Sequence, residues 1–240
     1  MSIKVLQFRP LCVFLILLLS TSIARSAGGA FAVDDAAVEA PKRCKAEAWV
    51  SGANNSPPDW STAVAAGCVV PFFTHRLELG AAIQRTSEAG EHANALTVKA
   101  KAPVPGLDYS SNDRFGLALV WGGSFDAMTG QSHTMFFSAP ATLRLTEALT
   151  ANVNVGYHED KPEKHNAVTW GAGFEFNLKS VSLEHVTLIA ETFSNHRDHI
   201  ATQAGIRFAL LAHADLDLIY GYNLASEQAN WLTVGLNLRF

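Results

Sequence analysis

Cysteine, charge of one dominant sign and long apolar runs are all scarce in this chain, and each scarcity excludes something. Lysine and arginine number 18 against 22 acidic residues, for a formal net charge of −4. There is no basic excess to hold a nucleic acid backbone, so nucleic acid is not expected as a partner. No apolar run reaches the ~20 residues that a membrane-spanning helix needs. A chain of this kind can enter a membrane only as a closed barrel of strands, the other structure that satisfies every backbone group in lipid. The only cysteines are Cys12, Cys44 and Cys68, too few for a disulfide scaffold.

The longest apolar stretch, Leu11 to Leu19, is interrupted only by Cys12, follows Lys4 and Arg9, and precedes a series of small residues. That order is the order of a secretory signal. Cleavage fits after Ser26 (Ala24-Arg25-Ser26) or after Ala32 (Ala30-Phe31-Ala32), and the second obeys the small-x-small rule better, so residues 1–32 are assigned to the leader. Its loss removes Lys4, Arg9 and Arg25 and takes the formal charge from −4 to −7. Cys12 lies inside the apolar core, which argues against lipid attachment there. In an exported protein, Cys44 and Cys68 read first as one disulfide closing a loop of about 25 residues, with two free thiols as the alternative.

Alternation dominates what remains. In the last ten residues, WLTVGLNLRF, Leu232, Val234, Leu236, Leu238 and Phe240 share one face, and Trp231, Thr233, Gly235, Asn237 and Arg239 share the other. A strand that is apolar on one side and polar on the other fits lipid outside and a polar interior. Ending on Phe240, with Val234, Leu236 and Leu238 behind it, it is similar to the membrane-insertion signal of Gram-negative outer-membrane barrels.

The same rhythm recurs from about residue 75 onward and predicts ten strands of roughly ten residues, the length a tilted strand needs to cross a bilayer. Val186–Glu191 is the least regular, because Ile189 falls on the polar face. The expected fold is an all-β, antiparallel, up-and-down transmembrane β-barrel of about ten strands, with twelve as the alternative. A lipocalin-like soluble barrel would reverse the two faces. Residues 33–74 read differently. CKAEAWVSG alternates and GCVVPFFTH is apolar, so another hairpin fits, but Cys44 and Cys68 are then expected at opposite ends of that hairpin, which conflicts with bonding them. Residues 33–74 are therefore expected to form a disulfide-tied periplasmic segment at or entering the mouth of a barrel over 75–240.

The blocks Thr169-Trp170-Gly171, Ala190-Glu191-Thr192-Phe193, Gln203-Ala204-Gly205-Ile206-Arg207 and Trp231 to Leu236, in that order, resemble a family of proteobacterial outer-membrane proteins related to the "MetA-pathway of phenol degradation" group. The resemblance spans about residues 75–240 and is strongest after Asn152. It implies a barrel in the Gram-negative outer membrane, in contact with its lipids and placed there by the barrel-assembly machinery. It brings no catalytic residues.

Ten charged residues fall on inward faces: Glu78, Lys99, Lys101, Arg144, Glu175, Glu191, Arg207, Asp215, Asp217 and Arg239. Acids and bases balance, which predicts salt bridges crossing a narrow lumen, since an unpaired buried charge is costly. Contacts of Glu191 with Arg207, and of Arg207 with Asp217, are the expected network, with inward glycines making room for long side chains. His158, His165, His196 and His199 lie near Glu159, Asp160 and Asp198 in two predicted outer loops, but solvated loop histidines explain them and no metal or other cofactor is expected. The chain is read as a monomeric, non-enzymatic barrel, either a narrow channel for small solutes or a structural barrel with a salt-bridged lumen. The alternative is an outer-membrane enzyme acting on lipid A or peptides. His185, Glu191 and Ser194 are its only candidates, and at about 3.3 Å per residue along one strand His185 and Ser194 lie out of hydrogen-bond reach.

Overall fold

A computed structural model describes residues 30–54, 58–70, 76–88, 90–109, 114–162, 164–181, 183, 185–194, 200–224 and 230–240. Among them lie twelve strands: β1 (Cys44–Ala53), β2 (Asp59–Val69), β3 (Glu78–Glu88), β4 (Glu91–Pro103), β5 (Phe115–Asp126), β6 (Ser132–Arg144), β7 (Leu149–Asp160), β8 (His165–Asn177), β9 (Val186–Ser194), β10 (Ile200–Leu211), β11 (Ala214–Asn223) and β12 (Asn230–Arg239). Each pairs antiparallel with its sequence neighbours, and β12 returns to β1 to close the barrel. Closure leaves no edge strand with unpaired backbone groups. At the seam the Cys44 N–H donates to Phe240 O at 2.8 Å and the Phe240 N–H donates to Cys44 O at 2.9 Å. This end of the barrel is the near rim; Ala53 and Asp59, and Asn223 and Asn230, mark the far rim.

Ten of the twelve strands are those the alternation predicts, and the further two, β1 and β2, come from the segment expected to be periplasmic. The strand count is therefore the alternative, twelve. The conflict between a hairpin and a disulfide also dissolves. In an antiparallel hairpin the first residue of one strand faces the last of the other, so Cys44 and Cys68 are direct partners across β1 and β2 and are joined by a disulfide. Because Cys44 spends both backbone groups on Phe240, it faces Cys68 as a non-hydrogen-bonded pair, the kind that brings side chains closer. Their Cα atoms are 4.1 Å apart.

The faces sort as the alternation requires. Val64, Ile83, Val98, Phe137, Val155, Val168, Phe174 (51%), Leu232 and Leu236 (38%) are exposed on the outside, whereas Glu78, Lys101, Thr142, Asn152, Glu191, Gln203, Asp217 and Asn237 are buried inside. Exposed Tyr157, Trp170, Tyr220 and Tyr222 stand toward the far rim, with Phe115, Phe176 and Phe240 toward the near one. This resembles the paired aromatic girdles of membrane barrels.

Candidate functional site

The lumen is occupied by the chain itself. Ahead of β1, residues 30–39 turn back from the near rim into the barrel and touch several walls, forming a strap. Four of its side chains, Phe31, Val33, Ala36 and Val38, are buried. Near the rim, Glu39 Oε1 lies 3.7 Å from Arg239 Nε, and Arg76 donates to Val38 O at 3.1 Å. Ala37 bridges to Tyr109. Deeper in, the Ala36 N–H donates to Thr142 Oγ1 at 2.8 Å, Thr142 donates to Asn152 Oδ1 at 2.7 Å, and Asn152 Nδ2 donates to Glu175 Oε1 at 2.7 Å. A strap amide is thus the first member of a chain of wall groups.

The middle of the strap spans opposite walls. On one side Lys101 Nζ of β4 donates to Asp34 Oδ1 at 3.0 Å and to Asp35 Oδ1 at 3.3 Å. With its amide turned to satisfy both contacts, Asn154 donates to Asp34 O at 2.8 Å and accepts from Asp34 N at 2.7 Å. On the other side Glu191 of β9 accepts the Ala32 N–H at 2.9 Å, the Val33 N–H at 3.3 Å and Gln203 Nε2 at 2.7 Å. The Lys101 ammonium, 3.0 Å from Asp34 Oδ1, supplies the counter-charge that lets this acid sit inside the barrel. The strap therefore carries its acids toward the lysines and its backbone N–H groups toward a carboxylate, an orientation fixed by the charge on each wall.

At its inner end, Phe31 (8% exposed) packs with Ile189 of β9 and Ile219 of β11. The Arg207 guanidinium lies 5.1 Å from the ring centroid, within cation–π range. Arg207 is itself held by Asp217 through two bonds, at 2.8 and 3.0 Å, and Asn237 Nδ2 donates to Asp217 Oδ2 at 2.7 Å. The wall is also shaped for the strap. A Cβ built at Gly171 would come 2.9 Å from Val33, at Gly205 3.3 Å from the Phe31 ring and at Gly235 2.9 Å from Ala30.

All ten charges expected in the lumen lie on inward faces, but their partners differ in part from expectation. Arg207 meets Asp217 as anticipated, while Glu191 takes the strap amides and Gln203 in place of Arg207. Arg239 Nη1 reaches Asp215 Oδ2 at 2.8 Å. Arg144 Nη2 donates to the Tyr109 hydroxyl at 3.2 Å, and Glu175 accepts from Asn152. Glu78 meets Lys45 at 3.0 Å. Lys45 was not placed in the lumen because β1, although it alternates, was assigned to the periplasmic segment, and Asp34, Asp35 and Glu39 were not because their Ala- and acid-rich stretch carries no strand signal. Arg144, Thr150, Glu175, Asn177 and Thr187 border a cavity of about 310 Å³ at the near rim.

Of the histidines considered for a metal, His158 and His165 sit at the far ends of β7 and β8; His196, His199 and Asp198 lie outside the described residues. Among the described residues no group of three or more His, Cys, Asp or Glu side chains is arranged to hold a metal. The candidate enzyme group does not assemble: His185 precedes β9 at the near rim, Glu191 is engaged by the strap, and Ser194 Oγ accepts the Trp170 N–H at 3.0 Å.

Among solved structures the chain is similar to KdgM porin, with 11% identity and a TM-score of 0.62 over 82% of this chain and 99% of that one. NanC porin follows at 9% identity and 0.56 over 81% and 98%. Outer membrane phospholipase A from Escherichia coli gives 10% and 0.50 over 81% and 92%. At these identities the likeness is one of fold. No curated protein sequence matches. The family described as "Uncharacterised conserved protein UCP029691" matches residues 15–240. The chain belongs to that family, and the family shown is this one rather than the phenol-degradation group that the motif blocks resemble.

Proposed function

We infer that this family member is an outer-membrane barrel of the channel type, a non-enzymatic passage for small polar solutes whose lumen is closed at rest by its own N-terminal strap. The reading is carried by one observation: an inward wall whose polar groups bond residues 30–39, whose glycines leave room for them, and whose Ile189, Ile219 and Phe193 pack against Phe31 and Val33. A purely structural barrel would fill its lumen with wall side chains and need no such seat. The outward apolar belt, the girdles of aromatic residues and the terminal Phe240 support placement in the outer membrane, in contact with its lipids, as a monomer inserted by the barrel-assembly machinery. The places of Phe31 and Ala32 in the lumen support a leader that ends upstream of Ala30, at the Ser26 alternative. The intact mass of the exported protein tests that end; a chain beginning at Val33 would contradict it.

Deleting residues 30–39 removes nothing from the hydrogen-bonded ladder of the barrel. In planar bilayers the deletion variant is expected to conduct steadily where the complete protein is mostly silent. A deletion variant that still migrates as a folded, heat-modifiable barrel and yet never conducts would overturn the channel reading.

A further inference from the structure

We propose that the lysines on the β1–β4 side of the lumen form a binding station for a solute carrying carboxylates, and that Asp34 and Asp35 of the strap occupy it as a stand-in. The inference rests on the channel reading above and names what opens it.

Lys99 and Lys101 lie two residues apart on β4 and so point to the same face. Lys101 is 1% exposed and donates to both strap aspartates. Lys99 pairs in register with Gly80 on one side and Gly122 on the other, so no wall Cβ flanks it. Lys45 completes the group from β1, where Glu78 holds it at 3.0 Å. Glu47 of β1 lies on the same face two residues from Lys45, and Asp59, Glu88 and Glu91 stand at the far ends of β2, β3 and β4. The acids Glu175, Glu191, Asp215 and Asp217 stand on β8–β11, across the barrel from β4. There Arg207 and Arg239 are already engaged by Asp217 and Asp215, which leaves Lys99, without an acceptor, to draw a carboxylate.

The strap satisfies this station incompletely. Lys99 Nζ is buried with no hydrogen-bond partner, and so is Asp34 Oδ2. A buried ammonium without an acceptor loses the hydration it would have in water, and the strap leaves that loss uncorrected. A small dicarboxylate can reach Lys99 as well as Lys101, which gives it an advantage over the strap at the same wall. Binding of solute and seating of the strap are then mutually exclusive, and occupancy by solute shifts the population toward the open lumen.

The test uses the complete protein in planar bilayers, with glutarate as probe and its uncharged diamide as control. Glutarate is expected to raise the open fraction about ten-fold and to expose the Phe31 peptide bond to chymotrypsin, while the diamide does neither. Lys99→Gln is expected to require about ten-fold more glutarate. Asp34→Asn/Asp35→Asn, checked for folding by heat-modifiable migration, is expected to stay open, with its current partly blocked by glutarate. If that variant conducts but glutarate changes neither the wild-type current nor the cleavage, this inference fails and the channel reading survives. If a folded Asp34→Asn/Asp35→Asn never conducts, the channel reading itself fails. Inorganic phosphate acting as well as glutarate would overturn the assignment to carboxylates. Should the double variant not fold, chymotrypsin cleavage of the wild-type protein still decides.

Discussion

At the scale of single residues, Asp217 bears the most. It is fully buried, takes both arms of Arg207 and accepts from Asn237, and through Arg207 it supports the ring of Phe31. Asp217→Asn keeps the shape but leaves Arg207 without its counter-charge. Breaking a buried pair from one side costs about 3 kcal/mol, and urea unfolding in detergent micelles is expected to register a loss of that size. A change below about 1 kcal/mol would show that the pair is better hydrated than its burial implies. The Arg207–Asp217 contact was legible in the sequence because both residues sit on inward faces of neighbouring strands. The partners of Glu191 were not, because backbone amides of a distant segment leave no mark on the pattern of β9. One signal had no partner assigned to it in the sequence: Ile189, Phe193 and Ile219 are apolar residues on inward faces. Apolar residues inside a largely hydrophilic lumen need apolar partners, and the strap supplies them: Phe31 packs with Ile189 and Ile219, and Val33 with Phe193.

Among the elements, β1 and β2 and the strap show why part of the fold was hidden. Strand recognition depends on contrast between faces, and β2 (DWSTAVAAGCV) places alanine on both. The ten strands with Leu, Val, Phe or Trp opposed to Gly, Asn, Thr or charge were readable throughout. The strap has no ladder of its own; its shape is imposed by the wall. Burying Phe31 contributes about 2 kcal/mol, and its amides and acids add bonds that only a closed barrel can offer. The inward glycines, read from the sequence as space for wall side chains, are in four cases (Gly171, Gly173, Gly205 and Gly235) space for the strap. Gly235→Val puts two methyl groups where Ala30 lies and is expected to unseat the strap without opening the β1–β12 seam. Chymotrypsin would then cleave after Phe31 while the barrel keeps its heat-modifiable migration. Continued protection would mean that the strap can shift to accommodate a larger side chain.

For the whole molecule, the arrangement is a barrel closed around its circumference by the β1–β12 seam and, on the reading proposed above, closed along its axis by its own N-terminal segment. The first closure was foreseen from a terminal alternating strand. The second was not, because charge balance counted on the walls alone suggested salt bridges from wall to wall, whereas several wall charges are answered by the strap. The most direct measurement of this claim is a cross-link. A Cβ at Gly173 lies 3.5 Å from the Val33 Cβ, within the ~3.5–4.5 Å that a disulfide spans. Val33→Cys/Gly173→Cys, produced with the native Cys44–Cys68 bond intact, is expected to oxidise spontaneously, so that intact mass after alkylation shows no free thiol at positions 33 and 173. Two alkylated thiols in a folded barrel would place the strap elsewhere and contradict the account.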